Sequence, residues 1–251
     1  MTLAARTLES TPDTIHQSRV DLAAAHRLAH RFGFDDGIHN HFTLMVPGAT
    51  AQFLVKAHGL LMSEITANNL IVVDTQGNVI EGSGTIERSA ICIHAAIHIR
   101  HPAAKCVLHA HPPYSTWLAD VEGGRLYMTN QDILRFHERV AYDNSYQGAD
   151  NEVGEQFASA MGDKSVLVSR NHGVTVAGAT VAEAFYDLYY LEQACKRQYI
   201  LAASGCKASV VPEDVSTRTR QLIDSEFVTS SVLYFDALKR ELDREDSGYA
   251  A

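Results

Sequence analysis

The stretch Lys105-Cys106-Val107-Leu108-His109-Ala110-His111-Pro112-Pro113 runs a short apolar segment into two histidines spaced i and i+2. In a strand, side chains alternate between faces, so His109 and His111 point the same way with their rings a few ångströms apart. Two imidazoles on one face are ready ligands for a divalent metal. The same spacing also suits a hydrogen-bonded pair at a strand end, so the dipeptide alone leaves both open. Pro112 and Pro113 stop the strand, because proline cannot donate into a ladder. The pair therefore sits at a strand's carboxyl end, where α/β sheets tend to place their chemistry.

Outward from this strand, the sequence alternates helical and extended patterns. Apolar residues at helical spacing predict a helix from about Asp13 to Phe32, stopped by Gly33. His26 and His30, four apart on it, are expected at a helix surface or subunit contact. Residues 41–46 and 52–55 read as strands joined at Pro47-Gly48, and 70–74 and 78–80 as a hairpin. A flexible loop over 81–85 leads into a helix from near Ile86 to about Arg100. After the histidine strand come short helices at 113–119 and 130–136 and an extended piece at 140–142. A helix over 152–161 is followed by strands at 165–168 and 174–176, joined through Arg170-Asn171-His172-Gly173. Long helices are predicted over 181–203 and 216–242. The whole of 1–251 reads as one α/β domain, with 1–12 a loose tail and 216–251 a terminal helix and tail.

The 251 residues are 46% hydrophobic and 20% charged, an ordinary globular composition. A formal net charge of −9 argues against nucleic acid or an anionic membrane as the main partner. It leaves room for a small anionic substrate, since local groups or a metal set the field of one pocket. Four scattered cysteines without a C-x-x-C read as thiols of a reducing compartment. With no leader-like or membrane-spanning run, a soluble cytoplasmic protein is expected.

Three blocks belong together: Ile93-His94-Ala95-Ala96-Ile97-His98 through His101-Pro102, His109-Ala110-His111, and Arg170-Asn171-His172-Gly173. With Phe53-Leu54-Val55, the run Gly59 to Thr66, and Val181-Ala182-Glu183-Ala184-Phe185, they resemble the class II aldolase/adducin family, in its adducin-type branch, from about residue 18 to 205. The resemblance implies a three-layer α/β/α sandwich around a mostly antiparallel central sheet. It also implies a cyclic homotetramer with active sites at subunit interfaces. It further implies one divalent metal ion per subunit, zinc or manganese, held by His109, His111 and His172. Three neutral imidazoles leave open coordination positions, as a catalytic metal requires. Gly173 answers either a positive φ or a close backbone approach.

The sequence departs from the sugar-phosphate aldolases of that family at their phosphate cradle. His41 stands where the phosphate-binding Asn would be, and Lys56-Ala57-His58-Gly59 keeps only the glycine of the second block. Counting back from His94, the acid/base Glu position falls on Ala90, and the two serine positions on Arg88 and Ser89. Glu87, almost one helical turn earlier, is the candidate acid/base or fourth ligand, or else only a helix-start carboxylate. Ser83 and Thr85 are candidate caps. Lys56 and Arg88 are candidates for holding a substrate carboxylate, with His58, Gly59 and His41 beside them. His137 and Glu138 are expected on the surface. These departures point to a metal-dependent carbon–carbon lyase acting on a small carboxylate-bearing substrate, read first as a decarboxylase of a hydroxy-aromatic or related acid and second as a class II aldolase cleaving a sugar or hydroxy acid. The rival is a non-catalytic, adducin-like interaction module.

Overall fold

The computed structural model describes residues 11–145, 151–245 and 247–251. Its centre is an eight-stranded sheet in the order β4-β3-β2-β1-β5-β8-β7-β6. The strands are β1 (His41–Met45), β2 (Gln52–Lys56), β3 (Leu70–Asp74), β4 (Val79–Glu81), β5 (Cys106–Ala110), β6 (Val140–Asp143), β7 (Val166–Ser169) and β8 (Gly173–Gly178). Every pairing is antiparallel except β6 with β7. That parallel pair requires a crossover, which α5 (Asn151–Met161) supplies.

Alternation along the strands divides the core between two faces. Phe42, Leu44, Leu108, Val174 and Val176 face one way, against α1 (Pro12–Arg31), α3 (Pro113–Asp120) and α6 (Val181–Ala203). Val107, Leu167 and Ala177 face the other way, against α2 (Arg88–Arg100) and α5. The result is the three-layer α/β/α sandwich around a mostly antiparallel sheet.

Local chemistry fixes the helix ends. The Thr11 hydroxyl accepts from Thr14 N at 3.2 Å with Pro12 in the first turn, so α1 begins inside the stretch read as a loose tail. Residues 1–10 of that tail lie outside the described residues. Thr180 caps α6 by accepting from Glu183 N. The 130–136 expectation shrinks to α4 (Gln131–Leu134), and the terminal helix α7 is longer than predicted, Glu213–Glu245. A 3-10 turn at Ser247–Ala250 then returns the chain to α1: Ala67 N donates to Tyr249 O and Asn68 N to Ala251 O, both at 2.9 Å. No helix among the described residues is long and apolar enough to cross a membrane.

His26 corrects the expectation of a surface or contact role. It is fully buried, with Nδ1 2.8 Å from Leu22 O and its ring 4.9 Å from Phe42, and burial drives its pKa down to about 3. His30, at the end of the helix, lies out beside Asp35 at 2.8 Å.

Candidate metal centre

The register of three neighbouring strands builds the site. His41 on β1 pairs with His109 on β5, and His109 pairs with Thr175 on β8. All three side chains therefore stand in one row on the α2 side of the sheet. β5 ends at Ala110, so His111 follows the strand by one residue, just before Pro112. His172 enters from the β7–β8 turn. There Asn171 carries the positive φ of 54°, and Gly173 does not. Gly173 is required by proximity: a Cβ on it would lie 2.4 Å from His111 Cδ2 and 2.8 Å from Ala110 O.

These placements bring His109, His111 and His172 together, with ring centroids 4.7–5.0 Å apart. One nitrogen from each lies within 4.8 Å of the others. The far edges of two rings are held. Asp36 Oδ2 accepts from His111 Nδ1 at 3.2 Å, and the Thr175 hydroxyl lies 3.2 Å from His109 Nδ1. This leaves two Nε2 atoms facing each other at 3.2 Å. Lone pairs so opposed repel unless a proton or a cation lies between them, and outer partners of this kind orient metal-binding imidazoles. Burial and the neighbouring rings hold the His109 and His172 pKa values below the usual histidine range, so both are neutral, as ligation requires. The donor set fits a divalent cation.

The three rings border a cavity of about 210 Å³ that is also lined by His39, Asn40, His41, Glu87, Ser89 and Ile93. Glu87 reaches it as the residue just before α2. The preceding loop packs tightly there, since a Cβ on Gly84 would lie 2.8 Å from Ala57 Cβ. Its carboxylate makes no capping bond. Instead its oxygens lie 3.3 Å from His39 Nδ1 and 3.7 Å from His58 Nδ1, outside the three-nitrogen group.

A family model described as the class II aldolase and adducin N-terminal domain matches residues 20–199. The chain belongs to that family. Within the class II aldolase and adducin family, it is 32% identical over 236 residues to a putative aldolase class 2 protein of Caulobacter vibrioides, covering 93% of this chain and 92% of that protein. It is 36% identical to rat alpha-adducin over 193 residues, which cover 74% of this chain and 26% of that protein. The crystal structure of an aldolase II superfamily protein from Pseudomonas syringae superposes with a TM-score of 0.90 at 33% identity, covering 96% of this chain and 98% of that one. L-fuculose 1-phosphate aldolase from Glaciozyma antarctica PI12 shares the fold, with a TM-score of 0.87 at 24% identity over 99% and 97% of the two chains.

The class II aldolase frame places the remaining candidates less favourably. Lys56 is buried, and its ammonium donates to Ile38 O at 2.6 Å and Leu60 O at 3.2 Å rather than lining the cavity. Arg88 is exposed on the first turn of α2, also outside the cavity lining. A β-strand and a helix start were both visible in the sequence, but not the direction either side chain takes. His58 and Gly59 are exposed on the rim, Gly59 with φ of 95°. Ser83 and Thr85 are exposed loop residues, and neither is the residue that precedes α2. His137, expected on the surface, is 5% exposed, with Nε2 3.3 Å from both Thr217 Oγ1 and Glu213 Oε1. With Glu138 it forms a second gathering of ligand atoms, but Glu138 is engaged by Arg220 at 3.4 Å. That group reads as an ion-pair network.

Behind the cavity runs a chain that sequence reasoning missed. His41 Nδ1 lies 2.8 Å from His94 Nε2, and His94 Nδ1 lies 2.6 Å from Thr43 Oγ1. Thr43 Oγ1 lies 2.8 Å from His98 Nε2, and His98 Nδ1 donates to Ala104 O at 2.7 Å. The signal was present: His41 and Thr43 share a strand face, and His94 and His98 share a helix face.

Proposed function

We propose that this protein is a divalent-metal-dependent carbon–carbon lyase for a small, unphosphorylated hydroxy acid, releasing either carbon dioxide or an aldehyde. The observation that carries this reading is the convergence of His109, His111 and His172 on a cavity that also admits Glu87. His109, His111 and His172 would hold a divalent cation, which would supply Lewis-acid charge to an oxygen beside the scissile bond. Glu87, at the cavity wall between His39 and His58, is placed to carry a proton to or from carbon. Ile93 and the sheet row of His41 and His109 wall one side of the cavity. With Lys56 and Arg88 outside the lining, the preference for decarboxylation loses its proposed carboxylate holders, and both leaving fragments belong to the assay.

Four free cysteines, two of them buried, suit a cytoplasmic enzyme. A homotetramer with sites at subunit boundaries fits the exposed His39 beside half-buried Glu87 and the exposed apolar Ile80, Ile99, Leu222 and Leu233.

The test is a panel of unphosphorylated hydroxy acids and aldols with zinc- or manganese-loaded protein, scored for carbon dioxide and aldehyde. Activity on one class is expected, with metal and turnover both lost in His172→Ala while the circular dichroism of the sheet is kept. Full activity in that variant ends the metal proposal. Protein that takes up no stoichiometric metal favours the adducin-like interaction module.

A further inference from the structure

Two cavity-lining groups are left over once the metal centre and Glu87 are assigned. Asn40 is 1% exposed, lines the cavity, and neither its amide nitrogen nor its amide oxygen has a partner. An unpaired buried amide costs free energy, about 1–3 kcal/mol, so such a group calls for a ligand.

The other group is the outer edge of His41. Its protonation can be followed link by link from a fixed end. Ala104 O only accepts, so His98 Nδ1 carries a hydrogen and its Nε2 a lone pair. Thr43 must give its one hydroxyl hydrogen to that lone pair, so it accepts from His94 Nδ1. His94 Nε2 then bears a lone pair and accepts from His41 Nδ1. His41 is left with an unprotonated Nε2 at the cavity, with the Ser89 hydroxyl at the 3.5 Å edge of hydrogen-bond reach.

We propose that Asn40 and His41 form a two-point reader, amide and acceptor, that selects a neutral hydroxyl-bearing part of the substrate and rejects an anion there. An acceptor edge repels phosphate oxygens, whereas a hydroxyl can donate to His41 Nε2 and pair with the Asn40 amide. No lysine or arginine lines the cavity to offset that repulsion. This inference deepens the lyase reading and rests on it for the metal that anchors the other end of the substrate.

The probes are lactate, glycerate and 3-phosphoglycerate, titrated calorimetrically into the zinc-loaded protein. Lactate and glycerate share the carboxylate and adjacent hydroxyl, and glycerate adds one distal hydroxyl. Glycerate is expected to bind about threefold to tenfold tighter than lactate, the yield of a neutral hydrogen bond, and 3-phosphoglycerate no tighter than glycerate. Asn40→Ala should abolish the glycerate preference without lowering the melting temperature, since it removes an unpaired buried group. His41→Asn, which restores an N–H donor, should improve 3-phosphoglycerate relative to glycerate by about tenfold, as for a charged acceptor.

Nitrogen-15 spectra of histidine-labelled wild-type protein, with His41 assigned by its absence in His41→Asn, should show the hydrogen on Nδ1. Equal binding of lactate and glycerate to the wild type, or a hydrogen on His41 Nε2, overturns the proposal and needs no variant. Protein that shows the preference and the tautomer yet cleaves no substrate refutes the lyase and leaves the reader standing. An active lyase blind to the distal hydroxyl does the reverse.

Discussion

Replacing Gly173 with alanine isolates the geometry of the metal centre in a single methyl group. The added Cβ would lie 2.4 Å from His111 Cδ2, and since ordinary contact begins near 3.4 Å, the ring must retreat by about 1 Å. Gly173 has no positive φ, so the substitution adds no backbone penalty of its own. Zinc–nitrogen bonds hold to about 2.0–2.1 Å with a tolerance near 0.2 Å, so a retreat of that size takes His111 out of the coordination shell. Loss of an outer partner typically costs about 10–100-fold in metal affinity, and loss of a ligand should cost at least about 100-fold, near 2.7 kcal/mol. The 2.8 Å approach to Ala110 O adds an overpacking cost of about 1–3 kcal/mol to folding.

Gly178→Ala is the control. Its Cβ would lie 2.7 Å from Ala184 N, on the same strand but at the far end from the histidines, so it should lower stability and leave metal affinity alone. Zinc affinity is measured by competition with a chromophoric chelator, and stability by thermal melting. A folded Gly173→Ala protein that binds zinc within threefold of wild type refutes the reasoning.

Glu87→Gln should keep its metal and lose turnover by about 10²-fold or more; an unchanged rate would remove the carboxylate from the chemistry. Lys56→Met should lower stability by about 1–3 kcal/mol, because the Ile38 and Leu60 carbonyls lose their donor, with zinc affinity unchanged; a parallel fall in metal affinity would contradict that division of labour. The metal-free protein should be acid-sensitive through its buried histidines. Burial lowers the folded-state pKa of His98 from 6.5 to about 4, so its contribution is complete above about pH 6.5 and is lost as pH falls toward 4, amounting to about 3 kcal/mol. Urea denaturation at steps from pH 7.5 to 4.5 measures it, and a flat profile between pH 7 and 5 would rule it out.

The meeting of His109 and His111 was legible in the sequence because its geometry is local, whereas His172 joined them only through the family resemblance. An i, i+2 pair at a strand end has one orientation, and proline marks the end. The sandwich was legible because strands and helices alternate cleanly, with α6 running over the residues its periodicity predicts. Direction was the missing quantity elsewhere. The spacing of His26 and His30 is that of a surface pair, but only the sheet's position shows that His26 meets Phe42 while His30 meets water. The basic character of Lys56 and Arg88 suggested a carboxylate clamp, but a strand end turns one into carbonyls and a helix start turns the other into solvent. Asn40 gave no signal of its own, since an amide reveals its lack of partners only when every neighbour is in place.

The return of the last turn to the 66–69 bend has a kinetic meaning. Ala67 and Asn68 take their backbone partners from Tyr249 and Ala251, so the β2–β3 connection is completed by a segment far along the chain. A folding chain can form its early hairpins locally, but this patch keeps unpaired amides until the distant segment docks. Closing so long a loop is slow even though its entropy rises only with the logarithm of length. Docking of the final turn should therefore be a late event in refolding, and the early hairpins are the part of the molecule most in need of protection before it happens.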